Sequence, residues 1–196
     1  MSHHLYHTEA IILTQRPSGE AGSFIYCLTR ELGLVMAKAE GIRHLKSKLR
    51  FSLQNYCLSE VSLVRGKEIW RITGARLENN YQQVFRQQEQ KIALIAKIFS
   101  LLLRLLKGEE KNEQLFVLVK DLLVFLEKDL DLEQLKDLEV LAVMRILHSL
   151  GYWKKESALE GLAEGQTWDI VELVFVNLQR NLALGTINDT LKETHL

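Results

Sequence analysis

Near residue 81 the hydrophobic period of this chain changes from two to about 3.6, so its two halves must be built from different kinds of layer. Before that point the sequence reads as short strands. Residues 7–16 carry the β-rich run Ala10-Ile11-Ile12-Leu13-Thr14 and stop at the turn signal Arg16-Pro17-Ser18-Gly19. Residues 23–29 form an apolar, aromatic stretch, Glu31-Leu32-Gly33 turns the chain, and residues 34–39 continue as a third strand. Residues 57–64 alternate, with Leu58, Glu60, Ser62 and Val64 on one face and Cys57, Ser59, Val61 and Leu63 on the other. Arg65-Gly66-Lys67 reads as a hairpin turn, and residues 68–77 return as the fifth strand. Tyr56 and Trp70 fit either core or surface. Five short strands joined by tight turns predict a small closed barrel. Residues 41–56 leave room for a short helix across it, as in OB-folds.

After residue 81 the pattern is helical. Residues 88–107 place Ile92, Ile95, Ala96, Phe99, Leu102, Leu103 and Leu106 on one face, with Gly108 as the stop. Residues 113–128 repeat the pattern, and Asp131 can cap a third helix that ends at Gly151. A weaker stretch over residues 157–164 precedes a helix over residues 167–184, which Gly185 separates from a short last helix near Asn188. The expected class is α+β: a five-stranded OB-fold barrel in residues 1–80, then an all-α helical bundle in residues 81–196.

Composition supports this without staples. With 47% hydrophobic and 26% charged residues the chain can bury its own core. Its two cysteines, Cys27 and Cys57, make no Cys-x-x-Cys motif, which fits a reduced compartment. The polar, His-containing start lacks the apolar core of a signal peptide, and the run of residues 92–106 is broken by Lys97 and Arg104. A cytoplasmic, nucleoid-associated protein with no membrane contact is the expectation.

The net charge is zero, yet its distribution is uneven. Residues 1–80 hold 11 Lys and Arg against 7 Asp and Glu, and the remainder holds 14 against 18. Within the basic half, Lys38, Arg43, Lys46, Lys48 and Arg50 fall in thirteen residues with His44 among them and Glu40 as the one acid. Arg65 and Lys67 form a second basic turn. Such a cluster is commonly a solvated loop. Beside a barrel groove it would neutralise phosphates and release counterions, an attraction independent of sequence. These seven residues are the candidate nucleic-acid site; Phe51 and Tyr56 beside them could stack bases but are rings of a kind more often found in a core, so the charges and not the rings are the candidates.

Reactive constellations are not visible. There is no Walker loop, Gly-x-Gly-x-x-Gly, His-Glu-x-x-His or Gly-x-Ser-x-Gly. His3, His4 and His7 read as a polar terminus, His148 as a satisfied helix residue, and the acids between Glu127 and Glu139 as an exposed face. No enzyme, cofactor or metal site is expected.

Several segments resemble the RecO family of recombination mediators. Thr8-Glu9-Ala10-Ile11-Ile12-Leu13 is similar to its opening strand, followed by Gly19-Glu20. Leu28-Thr29-Arg30-Glu31-Leu32-Gly33 resembles its second-strand turn. Gly41-Ile42-Arg43, Lys46-Ser47-Lys48-Leu49-Arg50 and Leu53-Gln54 resemble its basic segment, and residues 187–196 its ending. The chain departs from the pattern at Glu40, where members often carry lysine, and at Leu45, where they often carry proline. Residues 154–165 contain no cysteine, whereas many members carry a four-cysteine zinc module there. The resemblance implies an OB-fold, a helical C-terminal domain and work without a chemical step. It implies binding of single- and double-stranded DNA and annealing of complementary strands. Its implied partners are a RecR-type mediator, single-stranded DNA-binding protein and, indirectly, recombinase. An OB-fold RNA-binding protein and a protein-interaction adaptor with a merely solvated basic loop are the alternatives left by the residues themselves.

Overall fold

A computed structural model describes residues 4–153 and 158–193. His3, residues 154–157 of the cysteine-free stretch and residues 194–196 of the terminal motif lie outside the described residues. By internal contacts the chain divides into two compact units, Met1–Gln87 with Leu106–Phe116, and Gln88–Leu105 with Val117–Leu196.

The first unit is a closed five-stranded barrel of order β1-β2-β3-β5-β4, which is the OB-fold arrangement. Its strands are β1 (Leu5–Ser18), β2 (Gly22–Thr29), β3 (Gly33–Ala39), β4 (Cys57–Arg65) and β5 (Trp70–Asn80). Alternation decides which residues turn inward. Ala10 and Ile12, Ile25 and Cys27, Val35 and Ala37, Val61 and Leu63, and Trp70 and Ile72 form one buried cluster. Trp70 is therefore a core residue, 3% exposed, and meets Tyr6 edge to face at 5.2 Å. A bulge between Ile12 and Thr14 and two register shifts between β4 and β5 supply the bends that closure requires. The short helix α1 (Leu49–Ser52) follows β3, and Ile42 and Leu53 join the barrel core. Phe51, beside the basic loop, is 63% exposed rather than in the core. It lies on the solvent side of α1, opposite the buried Ser52 and Leu53.

A second short helix, α2 (Tyr81–Val84), begins at Asn80, whose side chain accepts the N–H of Gln83 at 3.1 Å. Residues 106–116 group with the barrel. There Gly33, at φ 72°, has the Glu110 backbone so close that a Cβ would overlap it.

The second unit is helical, with α3 (Glu89–Leu105), all but the first four residues of α4 (Glu113–Phe125), α5 (Leu132–Ser149), α6 (Glu160–Glu164), α7 (Ile170–Leu178) and α8 (Arg180–Glu193). Helix α5 is the hub and packs against α3, α6, α7 and α8. Asp131 caps it, paired reciprocally with Gln134 in a capping box. No single helix among the described residues is long and apolar enough to cross a membrane.

The single helix expected over residues 167–184 is instead broken at Gln179, and Gly185 lies inside α8. A tertiary contact explains the break. Asp137 of α5 is buried and accepts Asn177 Nδ2 at 3.0 Å and Arg180 Nε at 2.7 Å. Residues three apart on either side of Gln179 thus converge on one carboxylate, and α8 leaves at 84° to α7.

A second buried polar hub is Arg145, 1% exposed. Its Nε donates to the Leu162 carbonyl at 3.1 Å, Nη1 to that of Thr167 at 2.6 Å, and Nη2 to Glu172 at 2.5 Å. The guanidinium also lies 4.7 Å from the centre of the Trp168 ring, and Gly165 leaves it room, since a Cβ there would overlap it. Removing one partner of a buried ion pair strands the other, at about 3–5 kcal/mol. Arg145→Ala is therefore expected to lower the unfolding free energy by about that amount. Urea denaturation followed by circular dichroism measures it, and an unchanged midpoint would contradict the assignment of Arg145 as a structural hub.

Candidate nucleic-acid interface

Strand register builds a surface on the outside of the barrel. Residues directly opposite each other across paired strands share a face. Arg16 lies opposite Phe24, Phe24 opposite Lys38, and Lys38 opposite Arg71. One row across β1, β2, β3 and β5 therefore reads Arg16, Phe24, Lys38, Arg71. It spans three strand spacings, roughly 15 Å. The next row reads Thr14, Tyr26, Met36. The Arg16 guanidinium lies 5.4 Å from the centre of the Tyr26 ring. Three cations and two aromatic rings thus share the β2–β3 face, the face with which OB-folds bind oligonucleotides.

Of the sequence-derived candidates, Lys38 belongs to this row and is ion-paired with Glu40 at 2.6 Å. Arg43 is tied to the β1–β2 turn: its backbone N–H donates to Ala21 at 2.9 Å and its Nη1 to the Gly19 carbonyl at 3.2 Å. Lys46 and Lys48 sit exposed on consecutive turns, closed by His44 to Gly41 and Ser47 to His44 backbone bonds. Arg50 projects from α1 and lines a pocket with Arg43. Lys67 is exposed on the β4–β5 turn. Arg65 is held differently. It is ion-paired with Glu109, and its guanidinium covers the core ring of Trp70 at 4.9 Å. The structure brings Arg43 and Arg50 together, sets Lys46 and Lys48 beside them in the same loop, and keeps Arg65 with Glu109.

Arg16, Phe24, Tyr26 and Arg71 were not among the sequence candidates. The alternation of residues 23–29 already puts Phe24 and Tyr26 opposite the inward Ile25 and Cys27. What the sequence withholds is the register that aligns them with Lys38 and Arg71.

In the helical unit a groove of about 520 Å³ is lined by Leu101, Val140, Val143 and Ile187 and edged by Lys97 and Arg104. Lys97 is paired with Glu139 at 2.8 Å.

Residues 1–81 match the model for the recombination protein O N-terminal domain. Residues 1–81 are thus a RecO-type N-terminal domain. It is 34% identical over 116 residues to the DNA repair protein RecO of Dehalococcoides mccartyi strain 195, covering 59% of this chain and 46% of that one. It is 33% identical over 125 residues to DNA repair protein RecO of Thermodesulfovibrio yellowstonii, covering 63% and 49%. To that of Clostridium novyi it is 28% identical over 151 residues, covering 76% and 57%. The chain spans about half the length of these curated relatives.

The two thiols of this RecO N-terminal domain are buried and free. Burial pushes Cys27 up to about 12 and Cys57 up to about 11, the latter opposed by a backbone hydrogen bond from Gln54. The thiolate forms more readily in the unfolded chain, near the ordinary value of 9.0. The folded state then binds more protons, so stability is full below pH 9 and falls as pH rises toward 11. Denaturation at pH 8 and pH 10 is expected to show this loss, reduced in Cys27→Ala. An equal loss in the variant would contradict the burial.

Proposed function

We propose that this chain is a DNA-binding mediator of DNA repair that works without a chemical step. In this reading a single strand crosses the β2–β3 face of the barrel. Phe24 and Tyr26 stack bases, and Arg16, Lys38 and Arg71 meet phosphates. Arg43, Lys46, Lys48, Arg50 and Lys67 extend the positive surface along the loops. The observation that carries this is the cross-strand row of Arg16, Phe24, Lys38 and Arg71 with Tyr26 in the row beside it, since cations set among rings are how single-strand platforms are made. The match of residues 1–81 to the RecO N-terminal domain, and the DNA repair proteins among its relatives, support it. Double-stranded DNA binds the same surface through its backbone alone. Annealing follows because neutralised phosphates let complementary strands approach.

The helical unit supplies the partner contacts. Its groove, apolar inside and edged by Lys97 and Arg104, suits an acidic, apolar peptide tail of the kind that a single-stranded DNA-binding protein or a RecR-type mediator could present. Recombinase loading is the indirect consequence.

Two measurements test the barrel reading. If about five cations touch phosphate, the slope of log K against log salt is about −3.5, and affinity for single strands falls about a hundredfold from ~50 to ~200 mM. Lys46→Glu with Lys48→Glu is expected to weaken binding and flatten that slope by about 1.4; a salt-insensitive affinity would reject the groove. Phe24→Ala and Tyr26→Ala are expected to weaken single-strand binding about 5- to 150-fold each with the slope unchanged. Affinities within twofold of the parent would remove the stacking role, and tighter binding of matched RNA would favour the RNA reading.

A further inference from the structure

A pocket of about 380 Å³ beside the basic loop is lined by Gln15, Ile42, Arg43, Arg50 and Gln54. No acidic residue lines it, and neither arginine has a carboxylate within ion-pair distance among the described residues. Two arginines lining one cavity repel unless an anion lies between them.

The third donor follows from a chain of hydrogen bonds that begins at a helix cap. The Gln83 backbone N–H can only donate, so the Asn80 atom it meets at 3.1 Å is the side-chain oxygen. Asn80 therefore presents its NH₂ in the other direction, to Gln54 at 2.9 Å. The Gln54 atom that receives it must be the oxygen, which leaves the Gln54 NH₂ as the group free for the pocket. The cap of α2 thus fixes the polarity of a side chain 26 positions earlier in sequence. Arg43 is fixed as well, by its bonds to Gly19 and Ala21.

We propose that this pocket is a phosphate site, holding one phosphate group of a nucleic-acid strand between Arg43, Arg50 and the Gln54 amide. The proposal rests on the reading of the barrel as a nucleic-acid-binding domain and gives that surface a fixed point of register. A tetrahedral oxyanion has only acceptors to offer, and the three groups offer only donors. The phosphate can be the terminal monoester of a strand or an internal diester, and the chemistry of the pocket admits both.

The test uses the full chain. Inorganic phosphate is titrated into ¹⁵N-labelled protein against sodium chloride of equal ionic strength, and the Gln54 side-chain amide is followed, assigned by its loss in Gln54→Glu. A saturable shift with phosphate alone is expected; its absence overturns the site even if DNA still binds. Oligonucleotides with a 5′-phosphate or a 5′-hydroxyl are then compared by fluorescence anisotropy. If the site takes a strand end, the 5′-phosphate binds about tenfold tighter and Gln54→Glu erases the difference. If it takes an internal phosphate, both bind alike and both lose about tenfold in Gln54→Glu. Unchanged binding of both, while Lys46→Glu with Lys48→Glu still weakens it, overturns the pocket and leaves the DNA-binding reading standing. Asn80→Ser keeps the helix cap and the net charge but is too short to hold the Gln54 oxygen. It is expected to weaken phosphate binding several-fold, and an unaltered titration would overturn the relay from the cap.

Discussion

β3 meets β5 through two residue pairs, Ala37 with Trp70 and Lys38 with Arg71, and this parallel contact turns a five-stranded ribbon into a barrel. The two pairs do different things. Ala37 and Trp70 point inward, where the small residue leaves room for the large ring to fill the lumen against Tyr6. Lys38 and Arg71 point outward, like charges on neighbouring strands roughly 4.8 Å apart. Directly opposed like charges disfavour a sheet. Glu40 offsets this by pairing with Lys38 at 2.6 Å. An anion lying across the row would relieve the same repulsion, which is consistent with the proposed binding of a polyanion on this face.

Charge is sorted around the barrel accordingly. Arg30 is paired with Glu9 at 3.0 Å and Arg76 with Glu60 at 2.8 Å, and all four line a polar pocket on the β1–β4–β5 side together with Glu31. Arg65 is spent on Glu109. Arg16, Arg43, Lys46, Lys48, Arg50, Lys67 and Arg71 have no carboxylate at ion-pair distance among the described residues. They lie on the row, the basic loop and the β4–β5 turn. A formally neutral chain thus carries a surface on which cations without carboxylate partners predominate, since most of the barrel's other cations are paired with acids on other faces.

Period carried much of this in the sequence. The strands around Ile12, Ile25, Val35, Val61 and Ile72 and the helices around Phe99, Leu122 and Leu141 all follow from local alternation or a 3.6 repeat, which neighbouring residues fully define. What was illegible depends on residues distant in sequence. The break at Gln179 needs Asp137, forty positions earlier than Asn177. The row needs the register of β3 with β5, which no turn between adjacent strands dictates. Arg65 reads as a free cation until Glu109 is placed beside it. Phe51 looks like a core ring until the face of α1 is known. The buried Arg145 of α5 gathers the carbonyls of Leu162 and Thr167 and the carboxylate of Glu172, a cross-link whose parts look unremarkable one at a time.

In the proposed reading the protein binds without reacting, and its affinity is limited by how much order it must impose when its ligand arrives. Immobilising a long side chain on binding costs about 0.5–1.5 kcal/mol. Arg43 and Gln54 are already held, one by the β1–β2 turn and the other by Asn80, so little of that cost remains for them. Lys46 and Lys48 have no such anchors and act as point charges on flexible stems. In the proposed reading the loop divides the work: its lysines attract a strand from a distance and give the salt dependence, whereas its fixed donors decide where a phosphate comes to rest. That division explains why residues close together in sequence should respond differently to substitution, the lysines through salt slope and the anchored donors through affinity at any salt.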